Sequence, residues 1–410
     1  MFLLQLFLSQ TFKFIATIGI MQQSKSHIIG RKRSDPFILV PHLAPISSED
    51  GTLLALNRNI PVSVQHYVRD KGIMRFLADT SALLAATTLG ATKPSLLKKF
   101  LDTSKRMTSY KYGDAAGQKF QIFDFPENLE PSNGPTVLIL VHGGAWGSGK
   151  PWMYRLMASG MAKCLNATSA IVLQYPLYPE AIIAQQAESI YEAIRFIRWN
   201  SSKIGLPSNS TYVVSGHSSG ANICALAILK CIHNEERLVD SFIALNGVYD
   251  IEKHYHFEKA RGAHEFSPMS VAAITPDRWW ESSPSLLLPE VSVESVVTFW
   301  PDTFLLHGLS DTTVPFSSSH EFAEKLRHKG AAVKTSFPEE LAHADCIFDF
   351  TVDGQSASKD AVKKYFSDFL TRQKEFATTS SGVYRRPYII SDVDLLDTQE
   401  LSDVIMRSNL

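Results

Sequence analysis

The sequence has little that would hold a metal ion, a nucleotide or a nucleic acid. It contains only four cysteines in 410 residues, and they show no clustered spacing with histidines of the kind that forms a metal site. It has no glycine-rich phosphate-binding loop. Lysine and arginine together number 40 against 41 acidic residues, and no basic stripe carries interleaved aromatic residues. We therefore expect no cofactor, no metal ion and no nucleic-acid partner.

The cysteines and the composition indicate one large core with extensions. Cys224 and Cys231 lie on one face of an apolar helical stretch, which is typical of buried thiols rather than of a disulfide bond. With 410 residues and a hydrophobic content of 45%, the chain is long enough to bury a large core. No internal repeat is apparent.

A sharp strand-to-helix turn is predicted around Ser218. An extended apolar run begins at residue 211 and ends in the motif at residues 216–220, and a helical pattern follows from residue 221. Gly216 and Gly220 stand two places before and after the serine, where any side chain would collide with the helix or with the neighbouring strand. This pattern predicts a nucleophile elbow that lifts the Oγ of Ser218 above a sheet. Ser219 lacks such flanking glycines, so we assign its backbone amide, at a helix N-terminus, to an oxyanion hole.

A glycine turn lies upstream, after the continuous apolar run of residues 136–141. Glycines after a buried strand let the backbone approach a substrate, so the amides of Gly143 and Gly144 are our candidates for the remaining oxyanion-hole donors. Trp146 follows them and is our candidate substrate-binding residue. The alternative is a Gly-Gly turn with a packed tryptophan.

A nucleophilic serine needs a base, and the base needs an acid that holds its tautomer. In a fold whose nucleophilic serine sits at such an elbow, these partners are expected to follow the serine in the order acid, then histidine. Asp311 lies in the loop after the apolar run of residues 303–307, beyond the carboxyl end of a predicted strand, and is our candidate acid. The alternative is a turn aspartate that bonds its own backbone.

The chain contains 13 histidines, so chain order and location select the base. Only His320, His328 and His343 follow Asp311. The first two fall in an amphipathic helical pattern, which favours a solvated surface. His343 lies in a loop before the C-terminal helix and is our candidate base. Asp345 is a weaker candidate for the acid, because a neighbour two residues away on the same loop cannot easily brace the ring from behind.

Together these motifs resemble those of the α/β-hydrolase carboxylesterases, in the branch that contains the isoprenylcysteine methylesterases and the kynurenine formamidases. The resemblance rests on His-Gly-Gly-x-Trp, Gly-His-Ser-x-Gly-Ala, His-Gly-x-x-Asp-x-x-Val-Pro and a late loop histidine, and it covers about residues 105–375. One difference is visible. Tyr175 matches the tyrosine of the family's Tyr-Arg segment, but Pro176 stands where the arginine would be.

The resemblance implies a serine carboxylic-ester hydrolase that works through an acyl-enzyme intermediate, with Ser218, His343 and Asp311 as nucleophile, base and acid. Its expected partner is a small-molecule ester, of which an apolar prenylcysteine methyl ester is one candidate. Two alternatives stay open. One is an arylformamidase-like amide hydrolase, and the other is a non-catalytic binding module on a hydrolase scaffold.

The expected fold class is α/β, with the α/β-hydrolase arrangement of a mostly parallel eight-stranded sheet flanked by helices. An isoleucine-rich stripe predicts a long helix over residues 183–197, which covers one face of the sheet. Residues 251–300 contain no strong strand and are expected to form a small helical cap. Three tryptophans at positions 279, 280 and 300 either line an apolar pocket or serve as packing. The expected strands cover residues 109–112, 119–123, 136–141, 169–173, 241–245, 303–307 and 332–337, together with the apolar run from residue 211 to the elbow.

The two ends of the chain carry separate predictions. Residues 1–34 contain no acidic residue and read as a targeting segment or a membrane anchor, unless Met21 is the true start. Residues 35–104 are expected to form a helical extension of the hydrolase domain at 105–375, and residues 376–410 a polar tail. We favour the endoplasmic reticulum membrane as the location, with mitochondrial and cytoplasmic alternatives, and expect any membrane association to occur through the N-terminus.

Overall fold

The computed structural model describes residues 90–125, 134–264 and 267–379, together with residue 88. The predicted targeting segment, most of the helical extension and nearly all of the polar tail lie outside these residues. Among the described helices, none is both long and apolar enough to cross a membrane.

The described strands form one eight-stranded sheet in the order β1-β2-β4-β3-β5-β6-β7-β8. The first two pairings, β1 with β2 and β2 with β4, are antiparallel, and all later neighbours run parallel. The predicted mostly parallel eight-stranded sheet is thus confirmed. The strands are β1 (Thr108–Lys111), β2 (Lys119–Asp124), β3 (Thr136–Val141), β4 (Ser169–Gln174), β5 (Thr211–His217), β6 (Ser241–Leu245), β7 (Asp302–Leu306) and β8 (Val333–Ser336).

The central strands are buried and largely apolar because helices cover both faces of the sheet. All residues of β3, β6 and β7 are buried. Alternate residues of a strand point to opposite faces, so Val137 and Ile139 join one hydrophobic core while Leu138 and Leu140 join the other. The two cores fix the register of the strands and hence the positions of the loops at their carboxyl ends.

The helices alternate with the strands, as parallel pairing requires. The predicted stripe of the long helix is confirmed: Ile183, Ile190, Ile194 and Ile197 are fully buried against the sheet, and Ala187 is nearly so. The described helices are α1 (Pro94–Lys105), α2 (Pro151–Cys164), α3 (Ile183–Trp199), α4 (Ser219–His233), α5 (Ile251–Ala260), α6 (Met269–Ala272), α7 (Pro284–Leu287), α8 (Val293–Phe299), α9 (Ser317–His328), α10 (Asp345–Thr351) and α11 (Ala357–Thr379).

The segment between β6 and β7 is helical in its described residues, and it contains α5 to α8 with short 3₁₀ turns between them. Its tryptophans have different environments. Trp300 is fully buried and donates from Nε1 to the hydroxyl of Thr303 at 2.8 Å, so it belongs to the core rather than to a pocket. Trp279 is also buried, and its ring centroid lies 4.7 Å from that of Tyr255. Trp280 is 51% exposed.

Candidate active site

The nucleophile elbow has the backbone conformation that the glycines predict. Ser218 connects β5 to α4 with φ of 56° and ψ of −126°, a region that residues with side chains rarely adopt. A Cβ atom on Gly216 would lie 2.5 Å from the carbonyl oxygen of Gly220, and one on Gly220 would lie 2.5 Å from that of Val141. Only glycine therefore lets β5, α4 and β3 approach so closely. The strained serine stands at the carboxyl edge of the sheet.

Three loops bring the predicted serine, histidine and aspartate together. The Nε2 atom of His343 lies 3.0 Å from the Oγ of Ser218, and the Nδ1 atom lies 2.7 Å from Oδ2 of Asp311. Because a carboxylate only accepts, Nδ1–H of His343 donates to Asp311, which leaves Nε2 to accept the serine hydroxyl proton. Ser218 and Asp311 are buried, and the His343 side chain is 17% exposed. This is the geometry of an activated serine nucleophile.

Asp311 is held as an anion by donors on both oxygens. Its Oδ1 accepts the backbone N–H groups of Thr313 at 2.8 Å and Val314 at 2.9 Å. Its Oδ2 also lies 3.3 Å from Nε2 of His307. Burial alone would raise the pKa of Asp311, but His343 and His307 together hold that pKa well below its usual range. The sequence motif contained His307 without indicating this contact.

The loop that carries His343 is braced through its backbone carbonyl. This oxygen accepts from Nε2 of His217 at 3.0 Å and from Nδ2 of Asn246 at 2.9 Å. The side-chain oxygen of Asn246 in turn accepts the amide of Gly308 at 3.1 Å, in the loop that leads to Asp311. Sequence reasoning missed both braces. The only local signal was their position directly at strand ends, next to Ser218 and Gly247.

The oxyanion loop, residues 142–149, differs in part from the prediction. The amide of Gly143 donates to the hydroxyl of Tyr154 in α2 at 3.1 Å, so this N–H is directed away from the serine and is not an oxyanion donor in this structure. Gly144 has φ of 135°, where a side chain would collide with Ser148. The amides of Gly144 and of Ser219, the first residue of α4, therefore stay the candidate donors.

The prediction that Trp146 contacts substrate is wrong. Its side chain is only 1% exposed, and its ring nitrogen donates to Oδ1 of Asn222 at 3.1 Å. Its carbonyl accepts from Nε2 of Gln186 at 2.9 Å. Burial and these two hydrogen bonds make Trp146 a core residue that anchors the oxyanion loop to α3 and α4. The alternative of a packed tryptophan after a Gly-Gly turn is the one that holds.

The competing candidates lie away from the serine hydroxyl. His320 and His328 are in α9, where Nδ1 of His328 lies 2.8 Å from the carbonyl of Glu324 in the same helix. Asp345 accepts the amide of Ala342 at 2.8 Å and begins α10. Among the described residues, no group of three or more histidine, cysteine or acidic side chains could hold a metal ion.

Comparison with known proteins agrees with this architecture. Residues 124–326 match the family model described as BD-FAE. A carboxyl esterase 2 from Tuber melanosporum has a similar fold, with a TM-score of 0.54 and 17% identity over 66% of this chain and 87% of that one. The esterase LipW from Mycobacterium marinum also gives a TM-score of 0.54, with 15% identity over 71% of this chain and 90% of that one. The chain has the α/β-hydrolase fold. The family resemblance of its motifs is thereby confirmed.

Three curated relatives of this chain carry two kinds of name. A probable isoprenylcysteine alpha-carbonyl methylesterase from Oryza sativa is 27% identical over 262 residues, which are 60% of this chain and 60% of that protein. The isoprenylcysteine alpha-carbonyl methylesterase of Arabidopsis thaliana is 26% identical over 60% of this chain and 58% of its own length. The kynurenine formamidase of Drosophila melanogaster is 20% identical over 59% and 77%. The chain thus spans about three-fifths of the length of the two plant relatives.

Proposed function

We propose that the protein is a serine carboxylic-ester hydrolase that works through an acyl-enzyme intermediate. The observation that supports this is the continuous chain from Ser218 Oγ to His343 Nε2 at 3.0 Å and from His343 Nδ1 to Asp311 at 2.7 Å. Members of this fold that are named esterases share its architecture. Because every group needed for acyl transfer is present, we favour catalysis over a non-catalytic binding role.

In the first half of the cycle, Ser218 Oγ attacks the ester carbonyl while its proton moves to Nε2 of His343. The amides of Gly144 and Ser219 stabilise the negative charge on the carbonyl oxygen. Asp311 stabilises the imidazolium. When the tetrahedral intermediate collapses, the C–O bond to the alcohol breaks, and His343 gives its proton to the departing alkoxide. The acyl group stays on the serine.

In the second half, water replaces the alcohol. His343 Nε2 takes a proton from water as the oxygen attacks the acyl carbon, and the second tetrahedral intermediate forms in the same oxyanion hole. Its collapse breaks the bond to Ser218 Oγ, which recovers the proton from His343. The products are one carboxylic acid and one alcohol for each water consumed.

The names of the relatives suggest two substrate classes. The names of the plant methylesterases point to a methyl ester of a prenylated cysteine, and this is the substrate class that we propose first. The name of the Drosophila formamidase points to an N-formyl amide, which the same serine chemistry would cleave. Turnover of a prenylcysteine methyl ester, a short-chain aryl ester and N-formylkynurenine by the purified protein separates the two classes. Faster turnover of the formyl amide than of both esters would overturn the ester proposal.

The nucleophile is tested by Ser218→Ala. We expect this variant to lose ester hydrolysis and labelling by a fluorophosphonate, because both need the activated Oγ, while its melting temperature stays close to that of the parent. Ser215→Ala is a matched control. Its hydroxyl is buried in β5 and has no hydrogen-bond partner among the described residues, so we expect its loss to leave activity intact.

Peptide mass spectrometry of the labelled protein locates the adduct. We expect it on Ser218 in the parent and in Ser215→Ala. A parent protein that is folded but unlabelled would indicate the non-catalytic binding module, and retained turnover in Ser218→Ala would place the nucleophile elsewhere.

A further inference from the structure

We propose that Tyr154 and His217 are positioning residues that connect the oxyanion loop to the base loop, residues 337–344, by one directional chain of hydrogen bonds. The chain runs from the Gly143 amide through Tyr154 and His217 to the carbonyl of His343. Its catalytic consequence rests on the proposed serine-hydrolase function. Neither side chain touches the reacting atoms, and each acts through the loop that it holds.

The direction of the chain follows from its two ends. A carbonyl oxygen only accepts, so the 3.0 Å contact between His217 Nε2 and the His343 carbonyl requires a proton on Nε2. At the other end, a backbone amide only donates, so the hydroxyl oxygen of Tyr154 accepts from Gly143 at 3.1 Å.

The middle contact then has one solution. The hydroxyl of Tyr154 keeps its proton for Nδ1 of His217, which lies 3.0 Å away and must be unprotonated. Every hydrogen bond in the chain is therefore donated toward the base loop. Tyr154 and His217 each accept one hydrogen bond and donate one. Only neutral His217 in the Nε2–H tautomer satisfies all three contacts.

The environment of the chain keeps both side chains neutral. His217 is 3% exposed, and its ring centroid lies 4.9 Å from that of His343. Burial, followed by the nearby His343, lowers the pKa of His217 to about 3. Tyr154 is also buried, and burial raises the pKa of its hydroxyl well above the usual value. Two neutral, enclosed groups maintain a fixed pattern of donors and acceptors over the pH range in which a serine hydrolase works.

The chain passes directly beside the nucleophile. His217 precedes Ser218 in the sequence, and a Cβ atom on Gly143 would lie 2.6 Å from the carbonyl of His217 and 3.0 Å from the Cβ of Ser218. The oxyanion loop, the elbow and the base loop are therefore packed too tightly to shift independently. A displacement of one loop changes the distances on which attack and proton transfer depend, and a shift of about 1 Å can cost up to about a hundredfold in rate.

Tyr154→Phe tests the proposal because it removes one oxygen and leaves the Gly143 amide and His217 Nδ1 without partners. We expect kcat for a short-chain aryl ester to fall about tenfold or more. KM should stay unchanged, because Tyr154 is only 6% exposed and lies behind the loop. Tyr365→Phe is the matched control. Tyr365 is also buried, but its hydroxyl bonds Ser241 at 2.8 Å, at the opposite end of β6.

Substitutions of His217 test the two ends of the hydrogen-bond chain separately. Glutamine places a donor near the position of Nε2, and asparagine places an acceptor near that of Nδ1, whereas leucine provides neither. We expect kcat to decrease from the parent to His217→Gln or His217→Asn and further to His217→Leu. Equal losses in Tyr154→Phe and Tyr365→Phe, or full activity in His217→Leu, would overturn the positioning role.

Nitrogen-15 NMR of the whole protein tests the hydrogen-bond chain without any substrate. The ring signals that disappear in His217→Gln belong to His217. We expect them to report the neutral Nε2–H tautomer throughout the range from about pH 5 to about pH 8. A proton on Nδ1, or titration of His217 within this range, would disprove the chain even in an active enzyme. Conversely, absence of ester turnover with the expected spectrum would reject the proposed function and leave the hydrogen-bond chain in place.

Discussion

Among single residues, Asp311 is our proposed acid because both of its oxygens already have fixed donors. Two backbone amides bond Oδ1, and His343 bonds Oδ2 at 2.7 Å. The backbone amides orient the carboxylate, so Oδ2 faces the imidazole without further adjustment. The Asp345 carboxylate instead accepts the amide of Ala342, three residues before its helix begins.

Asp311→Asn tests this assignment. An amide group has only one acceptor oxygen, so either the backbone amides or Nδ1–H of His343 would face an NH₂ group. We expect the imidazole to adopt the wrong tautomer and kcat to fall roughly 10³- to 10⁴-fold. Steady-state hydrolysis of an aryl ester measures the loss. Asp345→Asn is the control, since asparagine still accepts the Ala342 amide. A comparable loss in Asp345→Asn would show that the acid has been misassigned.

At the scale of secondary-structure elements, glycines set how closely the segments approach. Besides the two in the elbow, Gly160 lies in α2 where the helix crosses α10, and a Cβ atom there would collide with the carbonyl of Phe350. The same helix carries Tyr154 toward the oxyanion loop. The contact between α2 and α10 therefore fixes both the core beneath the base loop and the position of the Tyr154 hydroxyl.

Gly160→Ala is expected to lower the free energy of unfolding by about 1–3 kcal/mol, because the backbone of α10 must move to admit the methyl group. Urea unfolding followed by circular dichroism measures this. Gly262→Ala provides the comparison: its φ is 68° with open space around it, so only backbone strain of about 1 kcal/mol is added. A smaller effect at Gly160 than at Gly262 would contradict the close helix contact.

At the scale of the whole molecule, the sheet separates two hydrophobic cores and collects the reactive loops at one edge. Burial at this edge has an electrostatic consequence for stability. His217 has its pKa lowered to about 3 in the folded protein, whereas an unfolded chain binds the proton near the ordinary value of 6.5. Between these two values the unfolded state binds more protons, so acid favours unfolding.

We therefore expect the contribution of His217 to be fully present above about pH 6.5 and to decrease as the pH falls toward about 3, by up to about 1.4 kcal/mol per pH unit. Asp311 adds a loss in the same direction at lower pH, since its folded pKa is also depressed. Urea titrations across this range measure the slope. His217→Gln should flatten it, and His256→Gln is the control substitution of a surface histidine, whose side chain is 65% exposed. An unchanged slope in His217→Gln would refute a buried neutral histidine.

Much of the fold was predictable because its signals are local. Apolar runs located the strands to within one or two residues: 332–337 was expected for β8 and Val333–Ser336 is observed. The amphipathic helical pattern that contains His320 and His328 is observed as α9, Ser317–His328. Strand burial on both faces and helix periodicity are properties of short segments, so they can be read without knowing the neighbours. The elbow is likewise local, since its glycines and serine are adjacent in the chain.

The errors at the site have a common cause. Trp146 and Gly143 stand in a turn whose composition suits substrate contact, but their partners, Asn222 and Tyr154, come from other elements. Neither partner is signalled by the turn itself. Whether a tryptophan ring faces a cleft or the core depends on how α3 and α4 pack, and local sequence does not encode that packing.

Local sequence specifies the alternation of strands and helices and the strained serine between its glycines, because each depends on residues that are close in the chain. The order of serine, acid and histidine is a property of the chain order alone. The partner of the Gly143 amide and the side chains that hold the base loop, in contrast, depend on how distant segments pack. His217 and Asn246 meet the carbonyl of His343 across 126 and 97 residues of chain. Such contacts exist only after the parallel strands have brought their carboxyl ends to one edge.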